Sequence, residues 1–324
     1  MRYYMRFLVA GSVRQLHRRR RRWDVALAAA ALSVAVHPGM VHAQGANAGD
    51  WSAVDRAIGR PGKPQPGEVQ KYSFPRSDLH VTMGSVAVKP ALALGSWVAF
   101  KRRGSSGGEV TAMGDLVLTQ TEITPVMDKL QELGVEQTAL HNHLLHESPR
   151  VMYMHIHAQG DPVKIAQAVQ AALALTKTPP AKPQGPEPTT ALGMDTAAVA
   201  QALGQSGTVN GGVYQVNVPR AEPVREDGME VPPSMGVATA INFQPTGGGK
   251  AAITGDFVMT AQEVNPVLKA LRGAGIEVTA LHSHMLTEEP RLFFAHFWKN
   301  DDAAKLARGL RSALDQMKVE HRPS

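Results

Sequence analysis

Two histidine-rich stretches carry the residue types best suited to chemistry in this chain: TALHNHLLHESPRVMYMHIHAQGD at residues 138–161 and TALHSHMLTEEPRLFFAHFWKNDD at residues 279–302. Each stretch contains a His-x-His pair and a further histidine twelve residues after that pair. Three imidazoles around an open coordination position form the layout of a catalytic or exchangeable zinc site, and imidazole also binds copper, nickel and iron. The spacing therefore suggests a metal site, although it does not name a substrate.

Both stretches are predicted to form antiparallel hairpins. Residues i and i+2 of a strand share a face, so His141 and His143 point to the same side of the sheet. If the turn is centred near Ser148, His141 lies opposite His155 with Cβ atoms about 5 Å apart, and His143 reaches the same ion diagonally. We predict one three-histidine site for a divalent metal in each copy. The second copy repeats the arrangement with His282, His284 and His296.

The strand pattern also bears on the identity of the metal. Met152 and Met154 fall on the face opposite His155, so they do not complete a copper site of mixed histidine and methionine ligands. Zinc or another borderline ion is favoured over a soft metal. His146 and His157 occur in the first copy only, and we leave open whether either is a fourth ligand or has no role. The alternative to a metal site is a set of half-buried strand histidines, each satisfied by a backbone carbonyl.

Two pairs of acidic residues are candidates for a catalytic base. Glu122 and Glu263 each follow a threonine by three residues, which is the pattern of a capping box ahead of a helix and offers a structural explanation for both. Asp115 and Asp256 each follow a glycine within a strand and have no such explanation. We therefore name all four as candidate catalytic residues, with the aspartates as the stronger pair for a base or for a group that orients a metal ligand.

The chain contains an internal duplication. Aligned without gaps, residues 114–161 match residues 255–302 at 21 of 48 positions, and the likeness extends upstream to a repeat of about 125 residues. Such a long period indicates two homologous domains rather than a solenoid. We predict four parts, namely a signal peptide at 1–43, a first repeat domain at 50–175, a proline-rich linker at 176–194 and a second repeat domain at 195–320.

Each repeat mixes strand and helix patterns in the order ββαββα. Apolar residues recur at helical spacing after Thr119, and Gly134 stands where a helix would end. Asp161 followed by proline marks the start of a second helix. The fold class is therefore predicted as α+β, with two homologous domains from internal duplication, mostly antiparallel sheets and helices packed on one face.

The excess positive charge of the chain lies at its N-terminal end. Eight arginines precede the apolar segment VALAAAALSVAV, and small residues follow at Val41-His42-Ala43, which is the layout of a secretory signal. The apolar run is too short for a transmembrane helix of about 20 residues, so an uncleaved anchor is the weaker alternative. Without residues 1–43 the chain has 26 basic and 27 acidic residues, which removes the argument for a nucleic-acid partner. We predict a periplasmic protein exported by the Sec or twin-arginine route.

The chain contains no cysteine, which excludes disulfides, thiolate metal ligands and a cysteine nucleophile. Its glycine-rich turns are not followed by Gly-Lys-Ser/Thr, so they are not phosphate-binding loops. There is also no Gly-x-Ser-x-Gly motif for a serine nucleophile. The chemistry available to this sequence therefore rests on histidine and carboxylate side chains.

Three strings of the sequence resemble the LppY/LpqO family of exported bacterial proteins: SFPRSDLHVTMGSVAVKPALALGSWVAF, GVATAINFQPTGGGKAAITGD and GDFVMTAQEVNPVLKALRGAGIEVTALHSHMLTEEPRLFFAHFW. The resemblance covers nearly all of the chain after the signal and includes the duplication. It implies an exported domain of unknown function and brings no catalytic residues to carry over. Named members of that family are lipoproteins, whereas this chain lacks the cysteine needed for lipid attachment.

Two functional hypotheses follow. The first is an exported protein with a zinc-like three-histidine site in each repeat, which would act as a metal-dependent hydrolase if the open position held an activated water. The second is a non-catalytic module of the cell envelope, without metal, whose histidine faces line a cleft for a small or glycan-like ligand. In either case the expected partner is a small molecule or an envelope component, and the oligomeric state stays open.

Overall fold

Each repeat builds a six-stranded antiparallel sheet with α-helices on one face, which confirms the predicted α+β class and the duplication. The computed structural model of the protein describes residues 49–104, 108–181 and 192–320. The predicted signal peptide and most of the predicted linker lie outside the described residues. Among the helices of the described ranges, none is long and apolar enough to cross a membrane.

The two repeats contain matching series of elements. The first has α1 (Ser52–Ile58), β1 (Lys63–Gln65), β2 (Val69–Pro75), β3 (Thr82–Met83), β4 (Val86–Ala87), α2 (Pro90–Ala93), β5 (Gly95–Arg102), β6 (Val110–Thr119), α3 (Ile123–Glu132), β7 (Glu136–His141), β8 (Glu147–Ser148), β9 (Val151–Gly160) and α4 (Pro162–Leu173). The second has α5 (Thr196–Leu203), β10 (Thr208–Asn210), β11 (Val213–Val218), β12 (Val224–Glu226), β13 (Met229–Val231), a 3-10 turn (Pro233–Met235), β14 (Thr239–Gly247), β15 (Lys250–Thr260), α6 (Ala261–Gly273), β16 (Glu277–His282), β17 (Leu292–Asp302) and α7 (Ala303–Leu314).

Both sheets share one strand order. The first runs β1-β2-β5-β6-β9-β7 and the second runs β10-β11-β14-β15-β17-β16. The predicted order ββαββα corresponds to β5, β6, α3, β7, β9 and α4, and β1 and β2 extend the sheet beyond that prediction. The alternating residues of HVTMGSVAV at 80–88 also predict a strand, but only the short strands β3 and β4 form there, and β3 pairs with β4 and with β8 in a separate small sheet. The apolar residues of this segment are buried where it crosses to the other repeat, which explains why their pattern is that of a sheet strand.

The predicted helix boundaries have the expected local chemistry. Asp161 caps α4, because its carboxylate accepts hydrogen bonds from the backbone amides of Val163 and Lys164 at 2.8 and 3.0 Å. Asp302 caps α7 in the same way. Gly134 and Gly275 follow α3 and α6 with φ values of 76° and 74°, the left-handed conformation that ends many helices.

Alternation along the strands separates two kinds of side chain. In β9, Met154 and Ile156 are buried in the core beneath the helices, together with Leu116 of β6. Because successive residues of a strand point to opposite faces, His155 and Asp115 lie on the face away from the helices. The second repeat has the equivalent helix-side core, which includes Phe257, Phe297 and Leu310.

The first repeat sends an arm onto the second. We call residues 76–94, between β2 and β5, the first arm. Its backbone forms hydrogen bonds with side chains of the other repeat: the Lys89 amide donates to Gln244 at 2.8 Å, and the Gln244 amide group donates to the Ala87 carbonyl at 2.7 Å. Gln215 similarly donates to the carbonyl of Ala91 at 2.8 Å. These bonds fix the arm across β11 and β14.

The second repeat has an equivalent arm that contacts the first repeat. We call residues 219–238, between β11 and β14, the second arm. Ser234 donates its hydroxyl to the Pro66 carbonyl at 2.8 Å and accepts at its own carbonyl from the Lys71 ammonium at 3.2 Å. The two arms therefore interlock the repeats through equivalent segments of the duplicated chain.

Apolar residues of both repeats pack together between the sheets. Val117 and Tyr153 of the first repeat share one buried cluster with Val213, Ala252 and Trp298 of the second. A second cluster joins residues of the first sheet to the second arm and to Phe294. All described residues fall within one compact unit. The faces that carry the histidines are thus the faces that meet.

Candidate metal centre

The six histidines predicted as metal ligands lie in one cluster between the two sheets. The prediction of a separate three-histidine site in each repeat is wrong, because the histidine faces of the two sheets pack against each other instead of facing solvent. Most of the six side chains are buried, with His296 only 1% exposed. The cluster consists of His141, His143, His155, His282, His284 and His296.

The cluster has an approximate two-fold symmetry that follows from the duplication. Each histidine of one repeat stacks on a histidine of the other. The pair of His143 and His296 becomes the pair of His284 and His155 when each residue is exchanged for its equivalent in the other repeat. Within a repeat, the ring separations also match, at 5.0 Å for His141 and His155 and 4.9 Å for His282 and His296. The stacked pairs have ring centroids 3.6 Å apart for His141 and His282, 3.8 Å for His143 and His296, and 3.7 Å for His155 and His284.

The register of the histidine strands differs from the predicted one. His141 pairs with Tyr153 and Ala139 pairs with His155, so the strands are shifted by two residues from the predicted pairing of His141 with His155. His143 lies beyond the end of β7, in the loop that leads to β8. The observed pairs are centred on Glu147, one residue before the predicted centre at Ser148. An even shift preserves the shared face, so the imidazoles still converge.

Bonds between the repeats hold the histidine loop in place. Asn142 donates to the backbone carbonyl of Thr279 at 3.0 Å, and the Thr279 hydroxyl donates back to the carbonyl of His143 at 2.5 Å. On the other side of His143, the Tyr153 ring stacks with a centroid separation of 3.3 Å. Phe294 occupies the equivalent place against His284, at 3.5 Å. The rings are therefore held on both sides, which favours a fixed ligand geometry.

The ε nitrogens of all six histidines are buried and have no hydrogen-bond partner within the described part of the chain. Four of the histidines bring one donor atom each to within 4.8 Å of one another, and this group could hold a metal ion. Burying polar atoms without partners is costly unless something absent from the polypeptide satisfies them. The four-histidine group consists of His141, His282, His284 and His296.

Hydrogen bonds at the δ nitrogens orient three of the rings. The Nδ1 atoms of His141 and His282 lie 3.3 Å from the carbonyls of the residues that follow them, and Nδ1 of His296 lies 2.9 Å from the carbonyl of Gly255. A proton on Nδ1 that is donated to a carbonyl leaves the lone pair on Nε2. This arrangement is the one by which proteins commonly orient histidine ligands toward a metal.

Burial keeps most of the imidazoles neutral. It lowers the pKa of His155 to about 3 and that of His282 to about 4, and it holds the pKa values of His141, His143 and His284 well below the ordinary value. Neutral imidazole is the form that binds metal. His296 differs, since burial acts to lower its pKa but the adjacent carboxylate of Asp256 raises it overall.

Two buried aspartates border the cluster. The carboxylate oxygens of Asp115 lie 3.6 Å from Nε2 of His143 and 3.9 Å from Nε2 of His155. Asp256 lies 2.9 Å from Nδ1 of His296. Burial, together with the charge of Asp256, raises the pKa of Asp115 to about 7. The structure thus places both predicted aspartates beside the predicted histidines.

The predicted glutamates lie elsewhere, in ion pairs with buried arginines. Both oxygens of Glu122 accept hydrogen bonds from the guanidinium of Arg76, at 2.9 and 3.0 Å. Glu263 binds Arg220 in the equivalent way and completes a capping box at the start of α6. The structure does not bring these glutamates to the histidines. Their positions match the structural explanation from the capping pattern, to which the tertiary structure adds the arginine.

The two histidines that have no equivalent in the second repeat, His146 and His157, lie outside the cluster. The His157 ring stands between two carboxylates, with Nδ1 3.2 Å from Glu136 and Nε2 3.7 Å from Glu226. His146 is exposed at the surface, with Nε2 3.5 Å from Glu277. Neither belongs to the four-histidine group.

A small cavity reaches the cluster from the side of the second arm. Its volume is about 10 Å³, which is about the room that one water molecule needs. His155 and His284 are among the residues that line it. Three methionines also line it, namely Met113, Met235 and Met285. Met113 lies on the histidine face of β6, whereas Met235 comes from the second arm and Met285 from the loop after β16. Met152 and Met154 lie on the opposite face of β9, as the alternation predicts.

This chain belongs to the family described as a Domain of Unknown Function (DUF1259), which matches residues 52–175 and again residues 197–316. The two matches agree with the duplication read from the sequence. No curated protein matches the chain.

The chain also has distant similarity to several solved structures. The chain is similar to the trimeric shell protein PduB, with 14% identity, a TM-score of 0.20 and coverage of 79% of this chain and 93% of that chain. It is similar to the ethanolamine utilization protein EutL from Leptotrichia buccalis C-1013-b, with 10% identity, a TM-score of 0.19 and coverage of 68% and 90%. For EtuB from Clostridium kluyveri the identity is 11%, the TM-score 0.18 and the coverage 78% and 90%. TM-scores of this size do not establish a shared overall arrangement.

Proposed function

We propose that this two-repeat member of the DUF1259 family binds a zinc-like transition-metal ion at the histidine centre between its repeats. The observation that carries the proposal is the four-histidine group, in which donor atoms from His141, His282, His284 and His296 lie within 4.8 Å of one another. One ligand comes from the first repeat and three come from the second. Binding the ion would therefore also join the two halves of the molecule.

The alternative of histidines packed as ordinary core residues explains the centre less well. A buried imidazole in a core is normally satisfied at both nitrogens by protein groups or by water. Here six ε nitrogens have no hydrogen-bond partner from the protein across residues 49–104, 108–181 and 192–320. A metal ion satisfies several of them at once and removes the cost of their burial.

The donor set favours zinc or a similar borderline ion. The cluster offers imidazole nitrogens and carboxylate oxygens, and the chain has no cysteine to supply thiolate. Zinc accepts four such ligands in a tetrahedral arrangement and has no geometric demand beyond it. Methionines line the cavity beside His155 and His284, and their sulfur atoms favour softer ions. A metal screen should therefore include softer ions, which would enter by this path.

The geometry supports a binding centre better than a substrate site. The cavity at the cluster has a volume of about 10 Å³, which is too small for any organic substrate. A buried centre with several fixed ligands suits tight retention of an ion. The non-catalytic envelope module without metal is a weaker explanation, because a ligand larger than water finds no room at the histidines.

One observation favours a metal-dependent hydrolase as the second candidate. Asp115 lies within 3.9 Å of two histidine ε nitrogens, and its pKa of about 7 suits a general base that takes a proton from a metal-bound water. Substrate access would require the arms to move. Assays of the zinc-loaded chain with chromogenic carboxylate and phosphate esters, with Asp115→Asn as the inactive comparison, test this candidate.

The proposed place of action is the periplasm. The basic start and short apolar run of residues 1–43 support export by the Sec or twin-arginine route, and the resemblance to the LppY/LpqO family points in the same direction. Fractionation of cells that express the full chain, followed by mass determination of the mature N-terminus, tests the location and the cleavage after Ala43.

Zinc retention tests the proposed function itself. The full chain is expressed, stripped with a chelator, loaded with Zn²⁺, desalted and analysed by elemental mass spectrometry. We expect at least one zinc per chain, reduced in His282→Ala. The matched control is His146→Ala, since His146 is exposed and lies outside the cluster. A chain that retains no zinc or other transition metal after loading contradicts the proposal.

A further inference from the structure

The four-histidine group leaves part of the cluster unexplained. His143 and His155 do not belong to that group, yet their ε nitrogens are buried and unpartnered among residues that the structure describes. One oxygen of Asp115 is buried and unpartnered as well. One zinc-like ion with four imidazole ligands is already complete, so it does not account for these three additional donors.

Asp115 lies close to both remaining histidines, at separations near those of ligands to one ion. The two contacts of Asp115, at 3.6 Å to His143 and 3.9 Å to His155, are too long for hydrogen bonds. Ligands at bond lengths of 2.0–2.1 Å on a tetrahedral ion are separated by about 3.4 Å. The carboxylate therefore stands from each imidazole at nearly the distance that a shared metal would impose.

The stacking of the rings places the second donor set directly beside the first. His143 stacks on His296 with a centroid separation of 3.8 Å, and His155 stacks on His284 at 3.7 Å. Because in each pair a ring of the second set stacks on a ring of the first set, ions held by the two sets would be neighbours. Metals in two-metal centres lie about 3.5–4 Å apart.

Charge also favours two ions over one. A second dication close to the first needs anionic groups nearby, and Asp115 and Asp256 supply two buried carboxylates that interact with each other and with the histidines. Imidazoles alone would offer no negative charge. The approximate two-fold symmetry explains how such a pair would arise, since each repeat contributes one aspartate and three histidines.

We propose that the centre is dinuclear, with one ion in the four-histidine group and a second ion held by His143, His155 and Asp115. This inference rests on the proposed function and deepens it. Two imidazoles and one carboxylate leave the second ion with an open position, unlike the first. The cavity reaches His155, so this open position is the one that a water or a small anion could enter.

Stoichiometry tests the inference separately from the proposed function. The stripped full chain is titrated with Zn²⁺ in a calorimeter and, in parallel, loaded, desalted and analysed for metal content. We expect two zinc ions per chain in the wild type and one in Asp115→Asn, which keeps the size of the side chain. Circular dichroism of the variant shows whether it is folded, and His146→Ala is expected to keep two ions.

The outcomes separate the two proposals. One zinc per chain in the wild type overturns the dinuclear inference and leaves the single metal site standing, whereas no zinc overturns both. A wild-type value of two that stays at two in Asp115→Asn and in His155→Ala places the second ion elsewhere and also overturns the inference. Loading with Co²⁺ gives a readout without any variant: two cobalt ions about 4 Å apart are magnetically coupled, and isolated ions are not.

Discussion

His141 and His282 occupy the same position in the two repeats, and their imidazole rings stack on each other with centroids 3.6 Å apart. Residues separated by 141 positions in the chain thus meet at the approximate two-fold axis of the molecule. Both rings belong to the four-histidine group, so an ion held there would take ligands from both repeats.

Replacing either member of this pair should weaken metal binding to a similar degree. A four-ligand zinc site with about 10–16 kcal/mol of binding free energy has about 3 kcal/mol per ligand, so His141→Ala and His282→Ala should each lose roughly 100-fold in affinity. Competition with a chromogenic chelator measures this. His157→Gln, outside the group, is the control. An unchanged affinity in either alanine variant would remove that residue from the site.

Metal removal should lower the stability of the whole molecule. A ligand that binds only the folded state stabilises it by about 4 kcal/mol at 1,000 times its dissociation constant, which corresponds to roughly 10 °C in melting temperature. We expect the chelated chain to melt that much lower than the zinc-loaded chain in a thermal scan. Coincident melting curves at saturating zinc would argue against binding to the folded form.

Glu122→Gln should destabilise the fold and leave zinc binding intact. Arg76 is fully buried, and the substitution removes one of its two carboxylate partners while Asp78 stays paired with it, at a cost of about 2 kcal/mol in the free energy of unfolding. Urea unfolding measures the loss, and Glu132→Gln, in an exposed ion pair, is the matched control with little effect. A loss of zinc in folded Glu122→Gln would restore this glutamate to the site.

The ion pair of Glu122 and Arg76 also predicts that the free energy of unfolding depends on pH. Burial acts to raise the pKa of Glu122, but the bonds from Arg76 and from backbone amides lower it below its ordinary value of 4.5. A carboxyl whose pKa is lower in the folded state stabilises the fold fully above that value, and the contribution is lost as the pH falls through the lowered pKa. The pH dependence of unfolding below pH 4.5 should therefore be weaker in Glu122→Gln.

Gly255→Ala should displace the ligands of the second repeat. A Cβ atom at this position would lie 1.8 Å from the carbonyl oxygen of Ala240 on the neighbouring strand, and the Gly255 carbonyl also orients His296. We expect a loss of about 2 kcal/mol or more in unfolding free energy and weaker zinc binding. Gly273→Ala, where an added Cβ meets nothing within 4 Å, should be neutral or slightly stabilising. Equal stabilities of the two variants would contradict this account.

The repeats should not be stable as separate monomers. Tyr153 and Phe294 are at most 1% exposed in the interface between the sheets, and each arm is bound by the other repeat. Residues 192–320 alone would expose this apolar face, so we expect a dimer that regenerates the two-fold contact, or aggregation. Light scattering after size-exclusion chromatography distinguishes these from a folded monomer, which would show that the interface is dispensable.

Local signals in the sequence were sufficient for the helix boundaries and for the faces of the histidine strands. Asp161 caps a helix and Gly134 follows one in the left-handed conformation, as predicted. Asp302 and Gly275 do the same in the second repeat, and Glu263 completes a capping box. These features depend on residues a few positions apart, whose chemistry the sequence displays directly. The period of two along β9 likewise placed His155 and Met154 on opposite faces.

The sequence by itself determined the duplication, the α+β class and the residue types of the centre, because these follow from identity at equivalent positions and from local periodicity. Only the tertiary structure decided that the histidines form one shared cluster. A pattern of alternating residues shows that a face is buried, and does not show what covers it. The partner of His141 is about 140 residues away, and the arms that close the interface are held by hydrogen bonds to the opposite repeat, which no local pattern encodes.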